Sequence, residues 1–205
     1  MAKTFRAPRL LTSACLTAAF AVAASGQSKF VSSGKSSEQA ALKSYVARVD
    51  AYVTAHARDA HLLANVAGKD GQDNWQELKS LDVLLKPTQA NESALAWLRR
   101  GHVVLARFTL QSDSGDWVHY VDYYFRNDGT LAKVETRLNT FYGHVTAVRE
   151  KFYGERGEML QSDEHFYRLG TKHRLRSKDG KEKFIDEPVP VYKTARELPF
   201  YRLLK

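Results

Sequence analysis

The middle of the chain alternates between apolar and polar residues over runs of about ten residues, which are rich in Val, Thr, Tyr and Phe. Glycines separate these runs, and five of them lie fourteen residues apart: Gly101, Gly115, Gly129, Gly143 and Gly157. Short glycine turns at even spacing between β-prone runs are typical of an antiparallel meander. The pattern predicts strands over 102–111, 116–126, 130–141, 145–153 and 158–168, and a further pair over 172–177 and 181–186 that turns at Lys178-Asp179-Gly180.

The hairpin around Gly129 shows which residues share a face. A two-residue turn at Asp128-Gly129 would place Phe125 opposite Ala132. One face of the hairpin is then apolar and carries Trp117, Val121, Tyr123, Phe125, Val134 and Leu138. The other face is polar and carries Tyr120, Tyr124, Lys133 and Arg137. A sheet with one buried side requires such alternation.

Two further pairings follow from this arrangement. On the polar face Asp122 lies opposite Glu135, where like charges need a compensating partner. For the next hairpin, a three-residue loop is predicted, which would place Leu138 opposite Val148.

Helical spacing replaces alternation near the N-terminus. Apolar residues recur at Leu42, Tyr45, Val46, Val49, Tyr52 and Val53. This stripe predicts an amphipathic helix over 38–65, ended by Gly68 and preceded by a flexible leader over 27–37. Trp75–Leu85 is predicted as a short helix or a strand, and 89–100 as a strand, with a helix ended by Gly101 as the alternative.

The last part of the chain, 187–205, contains Pro188, Pro190 and Pro199 among apolar residues. Because proline cannot continue a helix or a central strand, we expect an extended tail packed along the sheet, with a short helical turn at its end. The predicted fold is one α+β domain over 38–205. In it, a long N-terminal amphipathic helix packs on an antiparallel β-meander of five to seven long, curved strands at about 101–186.

The first 26 residues have the features of a secretory signal. Lys3, Arg6 and Arg9 precede an apolar run over 10–24, and small residues follow over 21–26. The run is short for a permanent membrane helix, although an uncleaved anchor is the alternative. Removal of this segment takes three of the eight net positive charges and the only cysteine, Cys15, so the remaining chain cannot form disulfides. The sequence predicts a periplasmic or secreted protein with no transmembrane segment after removal of the signal.

Motifs for metal or cofactor chemistry are not found in the sequence. The histidines lack the spacing of a ligand set, since His56 and His61 lie five residues apart. Asp113-Ser114-Gly115 resembles an aspartic protease triplet, but it has no second copy and is interpreted as a turn. The sequence therefore predicts no metal, no cofactor and no catalytic residue set.

A basic run lies near the end of the predicted meander. Between Arg168 and Lys183 there are seven Lys or Arg residues, including Arg174 and Arg176, against two acidic residues. Such a run suits an anionic partner, and a charged edge strand that blocks aggregation is the alternative interpretation.

Three functions follow as hypotheses. The first is a non-enzymatic exported binding protein for an apolar or anionic small molecule or an envelope protein, and not for nucleic acid. Its contacts would use Tyr120, Tyr124, Lys133 and Arg137, or the basic residues Arg174 and Arg176. The second is a periplasmic carrier of a lipid in a concave sheet, lined by the apolar set of Trp117, Val121, Tyr123, Phe125, Val134 and Leu138. The third is a hydrolase that gathers His119 with Asp122 or Glu135.

Overall fold

The computed structural model describes residues 27–66, 73–80, 92–183 and 188–205. Helix α1 covers Gln27–Ala55, and a short helix, α2, covers Ser177–Lys181. The strands are β1 (His61–Asn65), β2 (Trp75–Leu78), β3 (Glu92–Arg99), β4 (His102–Gln111), β5 (Trp117–Phe125), β6 (Leu131–Thr140), β7 (Val145–Tyr153) and β8 (Met159–Arg168). The predicted signal segment lies outside the described residues, as do 81–91.

The strands form one antiparallel sheet in the order β2-β1-β3-β4-β5-β6-β7-β8. The antiparallel α+β class is therefore confirmed, and so is the run of strands between the evenly spaced glycines. All five of these glycines have a positive φ, between 71° and 86°. The predicted number of five to seven strands was too low, because within the described ranges the sheet has eight. The five strands between and after the glycines are β4 to β8. Before them, β3 confirms the strand predicted over 89–100, and β2 lies in the segment 75–85 that was predicted as a helix or a strand. Strand β1 was not expected, because it falls within the predicted helix.

Helix α1 begins and ends earlier than the predicted helix over 38–65. It includes the segment 27–37 that was expected to be a flexible leader, and it stops at Ala55. The residues after it form β1, which pairs with both β2 and β3. Leu63 of β1 is fully buried in the sheet, so pairing on two sides outweighs the continuing helical stripe.

The hairpin of β5 and β6 has the predicted pairing from Trp117–Thr140 to Tyr124–Lys133. Its turn differs, because the amide of Arg126 donates to the carbonyl of Thr130, so that three residues, 127–129, lie between this closing pair instead of two. A bulge after Tyr124 absorbs the extra residue, so that Phe125 lies opposite Leu131 and not opposite Ala132.

The next hairpin was predicted one residue out of register. The four residues 141–144 connect β6 to β7, where three were expected. Leu138 therefore pairs with Ala147, and Val148 pairs with Arg137.

The basic hairpin predicted over 172–186 is not formed as predicted. Residues 177–181 form α2, and residues 184–187 lie outside the described part. The helix packs directly on β8, since a Cβ added at Gly180 would come within 2.2 Å of the Phe166 ring. Arg176 and Asp179 form an ion pair across its first turn. No helix within the described ranges is long and apolar enough to cross a membrane.

The two faces of the sheet are covered by different parts of the chain. We call them the helix-side face and the tail-side face. On the helix-side face, α1 buries Leu42, Val46, Val49 and Val53 against residues near one end of the strands, namely Trp97, Leu105, Tyr124, Ala132 and Phe152. Spacings of three and four residues place the four helix residues on one side of α1.

The C-terminal tail covers the tail-side face. Its buried residues are Ala195, Leu198, Phe200 and Leu204. Ala195 and Leu204 belong to two 3-10 turns, over 195–197 and 201–204, and Leu198 and Phe200 lie between these turns. They pack against the predicted apolar face, including Val121, Tyr123, Phe125 and Val134. The Tyr123 hydroxyl donates to the carbonyl of Pro190 at 2.6 Å. The tail thus packs along the sheet and ends in a 3-10 turn, and it is the tail that fills the apolar face.

We expect Phe200→Ala to lower the free energy of unfolding by about 3–5 kcal/mol, because it would leave a cavity in this core. The Phe200 side chain is 1% exposed, and its ring centroid lies 5.0 Å from that of Trp75 and 5.3 Å from that of Phe108. Urea denaturation measures the change. Leu203→Ala, at an exposed position of the same turn, is the control and should cost under about 1 kcal/mol. Equal effects of the two variants would show that the tail is not part of the cooperative core.

Candidate binding groove on the helix-side face

Helix α1 leaves the far half of the helix-side face open. Two adjoining cavities of about 400 Å³ and 550 Å³ lie there. They share Tyr120, Arg137 and Asn139, so they form one groove, which we call the sheet groove. Its first part is also lined by Arg107, Asp122 and Glu135, and its second part by Val118, Phe141, Thr146, Leu169, Gly170, Thr171 and Lys172. Its volume is in the range of small-molecule sites.

A charged pair lies on the floor of the groove nearest α1. The Arg107 guanidinium donates from Nε to Oδ1 of Asp122 at 2.8 Å and from Nη2 to Oδ2 at 2.6 Å. The hydrogen bond with Asp122 raises the pKa of Arg107, against the opposing effect of burial. The same guanidinium lies 5.9 Å from the ring of Trp97. Both carboxylate oxygens of Asp122 are therefore occupied.

Lys133 lies beyond this pair, and its side chain is only 6% exposed. Its Nζ donates to Oε2 of Glu135 at 2.7 Å and contacts Oε1 of Glu150 at 2.5 Å. The rings of Tyr124 and Phe152 lie 5.4 Å and 5.2 Å from the same nitrogen. Burial lowers the pKa of Lys133, but the hydrogen bonds and charges of the two glutamates outweigh it and raise the pKa overall. The ammonium thus compensates two carboxylates that face each other across β6 and β7.

Tyr124 connects this charge cluster to α1. Its hydroxyl donates to Oδ1 of Asp50 at 2.9 Å. Burial raises the pKa of Tyr124, and the charges of Asp122 and Asp50 raise it further. A second link lies close by, since the Tyr45 hydroxyl of α1 donates to the carbonyl of Phe125 at 2.5 Å. These polar contacts hold α1 against β5 at the closed end of the groove.

The open part of the groove has donors that are not used. Arg137 and Lys172 are exposed, and neither forms an ion pair with any residue in the described part of the chain. Asn139 accepts a hydrogen bond from the Thr146 hydroxyl at 2.9 Å through Oδ1, which leaves its amide nitrogen to donate. The Tyr120 ring lies exposed beside Arg137, its cross-strand partner. The groove therefore offers donors and an aromatic surface, while its carboxylates are already paired.

The structure separates the residues that the sequence placed together. Tyr120 and Arg137 line the groove, whereas Tyr124 and Lys133 lie buried at its closed end. Arg174 and Arg176 do not line it. Arg174 contacts Nδ1 of His165 at 2.7 Å, and Arg176 pairs with Asp179.

The residues of the two alternative hypotheses lie elsewhere or are already paired. Of the apolar set for a carrier, Val121, Tyr123, Phe125, Val134 and Leu138 are buried on the tail-side face, and Trp117 is half-buried. His119 of the proposed hydrolase site is buried on that same side, across the sheet from Asp122 and Glu135. Among the described residues, no three His, Cys, Asp or Glu side chains lie together as a metal site.

Several groove residues were missed by the sequence analysis: Arg107, Asn139, Phe141, Thr146 and Lys172. Arg107 and Asn139 carry a recoverable signal, since both follow from extending strand alternation to β4 and to the end of β6. Thr146 requires the correct register of β7, which the loop prediction had wrong. Lys172 comes from the loop after β8, and no local pattern places it against β6.

We expect Lys133→Met to lower the free energy of unfolding by about 2–4 kcal/mol, because it leaves Glu135 and Glu150 facing each other without a cation. The double variant K133M/E150Q should recover part of this loss, since one negative charge is removed. Lys151→Met, at the exposed position next to Glu150, is the control and should change the free energy of unfolding by under about 0.5 kcal/mol. Urea denaturation measures all three. A double variant that is less stable than K133M would contradict like-charge repulsion.

We expect stability to fall above about pH 10 and Tyr124→Phe to make the fall less steep. The unfolded tyrosine ionises near pH 10, whereas the folded protein keeps it protonated because its pKa is raised. This contribution is therefore present below pH 10 and is lost as the pH rises, by about 1.4 kcal/mol per pH unit. Urea denaturation between pH 8 and about pH 11 measures the slope. Parallel profiles of the variant and the parent protein would contradict the raised pKa.

No protein-family model, curated protein or solved structure matches this chain. The groove's own geometry is therefore the basis on which its function is argued.

Proposed function

We propose that this protein is an exported, non-enzymatic binding protein that takes an anionic small molecule in the sheet groove. The observation that carries the proposal is the charge asymmetry of the groove. Arg137 and Lys172 are open and unpaired among the described residues, whereas Asp122 and Glu135 are bound by Arg107 and Lys133. The export part rests on the sequence features of residues 1–26.

The paired carboxylates matter because Arg107 and Lys133 already balance their negative charge. A ligand that offered mainly hydrogen-bond donors would therefore gain less from Asp122 and Glu135 than from unpaired acids, and displacing either cation would leave an uncompensated charge. A ligand with carboxylate, phosphate or sulfate oxygens would instead meet the guanidinium of Arg137 and the ammonium of Lys172. Arginine can hold such a group through two parallel N–H donors.

The other lining groups indicate what else the ligand carries. Tyr120 presents a ring beside Arg137, and the second part of the groove adds Val118, Phe141 and Leu169. A flat or apolar body could pack on this surface while Asn139 donates to a polar oxygen. We therefore expect an organic anion with an unsaturated or cyclic body, in preference to inorganic phosphate.

Arg137→Gln should weaken binding of this ligand by about tenfold to a hundredfold, because it removes a charge-assisted contact. The measurement is native mass spectrometry of protein recovered from the periplasm of its own host. An anionic adduct is expected on the parent protein and should be lost from R137Q. Arg202→Gln, at an exposed site in the tail, is the matched control and should keep the adduct.

The intact mass in the same spectra tests removal of the signal separately, since a processed chain should begin near residue 27. Adduct-free protein in all three samples, or equal adduct on R137Q and the parent, would contradict the groove as an anion site. A full-length chain would contradict removal of the signal alone.

A further inference from the structure

Two aromatic side chains project from the turn between β6 and β7. Phe141 is 62% exposed and Tyr142 is 63% exposed, which is unusual for large apolar residues next to each other. The turn that carries them is well defined, since Gly143 and His144 both adopt a positive φ and the His144 amide donates to the carbonyl of Phe141 at 3.1 Å. We call this pair the aromatic tip.

The basic segment 168–183 lies against the aromatic tip. The amide of Leu169 donates to the carbonyl of His144 at 2.8 Å. On the other side of the turn, a Cβ added at Gly143 would come within 2.3 Å of the carbonyl oxygen of Lys183. Phe141 and Lys172 also line the same part of the sheet groove. Both ends of the basic segment therefore lie beside the tip.

The charge balance at this end of the sheet is positive. The segment has seven Lys or Arg residues against Asp179 and Glu182. Arg176 pairs with Asp179, and Lys181 pairs with Glu164 at 3.2 Å. The basic residues left without an ion pair among the described residues are Arg168, Lys172, Arg174, Lys178 and Lys183. Acidic residues of the neighbouring turn, Asp113 and Asp116, partly offset them, and the Asp116 carbonyl accepts from the Phe141 amide.

We propose that the aromatic tip and the basic segment dock on the surface of an anionic lipid bilayer. The amphipathic ring of Tyr142 is stabilised at the level of lipid headgroups, where its hydroxyl meets water and its ring meets hydrocarbon. The purely apolar ring of Phe141 gains from burial at the boundary between headgroups and acyl chains. Lysine and arginine side chains around them gain from the negative surface potential. Rings and charges at one end of the sheet supply two weak signals together, and stable membrane attachment takes two such signals.

A bilayer fits this surface better than the other anionic partners do. Nucleic acid would use the charges but would leave the two protruding rings in water unless bases were splayed out. An acidic protein would need a matching apolar pocket for two rings at the end of a hairpin. A lipid surface accepts them without any shaped partner.

The test is co-sedimentation of the full chain with vesicles of phosphatidylcholine that contain about 30% phosphatidylglycerol, against vesicles of pure phosphatidylcholine. Binding to the anionic vesicles should be the stronger, and should fall when salt is raised to about 0.5 M. The variant F141A/Y142A should weaken it by about tenfold or more. The charge variant K172Q/K183Q should weaken it to a similar extent. Residues 1–26 are common to all samples, so differences between variants report on the tip.

The matched control is R156Q/M159A at the opposite end of β8. Met159 is 59% exposed and the Arg156 side chain is 92% exposed, so this variant removes one exposed apolar group and one exposed positive charge away from the tip. This control should bind as the parent does. The inference is overturned by equal binding to both kinds of vesicle, or by F141A/Y142A binding as tightly as the control. It is also overturned if soluble polyglutamate binds with the same affinity and the same dependence on the variants, which would assign the surface to an acidic polymer. Circular dichroism of each variant confirms that the exposed substitutions leave the fold unchanged.

Discussion

Tyr124 and Lys133 lie opposite each other on β5 and β6, and their burial beneath α1 decides where the sheet is closed and where it is open. An ammonium group this well buried is costly unless carboxylates compensate it, and Glu135 and Glu150 do so at hydrogen-bond distance. The Tyr124 hydroxyl then needs its own acceptor, which Asp50 of α1 provides. Apolar packing of the helix and satisfaction of these polar groups therefore depend on the same placement of α1.

The two faces of β5 are stabilised by different means. Toward the tail, Tyr123 is buried among aromatic rings, with the centroid of Tyr192 5.1 Å away and that of Phe108 5.5 Å away. Toward the helix, the polar alternation of β5 and β6 continues past the end of the helix contact and becomes the open groove. Tyr120 and Arg137 are exposed because they belong to that continuation. Each lies four residues along its strand from a residue that α1 covers, Tyr124 on β5 and Lys133 on β6. The groove is thus a consequence of a helix that covers only part of a two-sided sheet.

Most of the sheet followed from the sequence, because turn glycines and strand alternation are local signals. The alternation of Tyr123 and Tyr124 to opposite faces needed no tertiary information. The identity of the covering layers did need it. No local sequence pattern predicts that Phe200 and Leu204 pack on the face that contains Val121. Likewise, the helical pattern continues after Ala55, and the strand that forms there instead is stabilised by pairing with β2 and β3, which local sequence does not reveal. Tyr120, Tyr124, Lys133 and Arg137 therefore share one face of the sheet, as strand alternation alone predicts, but Lys133 could not be recognised as buried until α1 had been placed.

The sheet groove and the aromatic tip are adjacent because of where the strands turn. α1 crosses the end of the sheet that contains the turn at Gly129, so the opposite end, with the turn at Gly143, is left uncovered. That same end receives the chain after β8, which carries Lys172 to the groove and Lys183 to the tip. A membrane contact through the tip would hold the second part of the groove near the lipid headgroups. An anionic ligand with an apolar body would then be in reach from the bilayer surface, without any rearrangement of the strands that form the site.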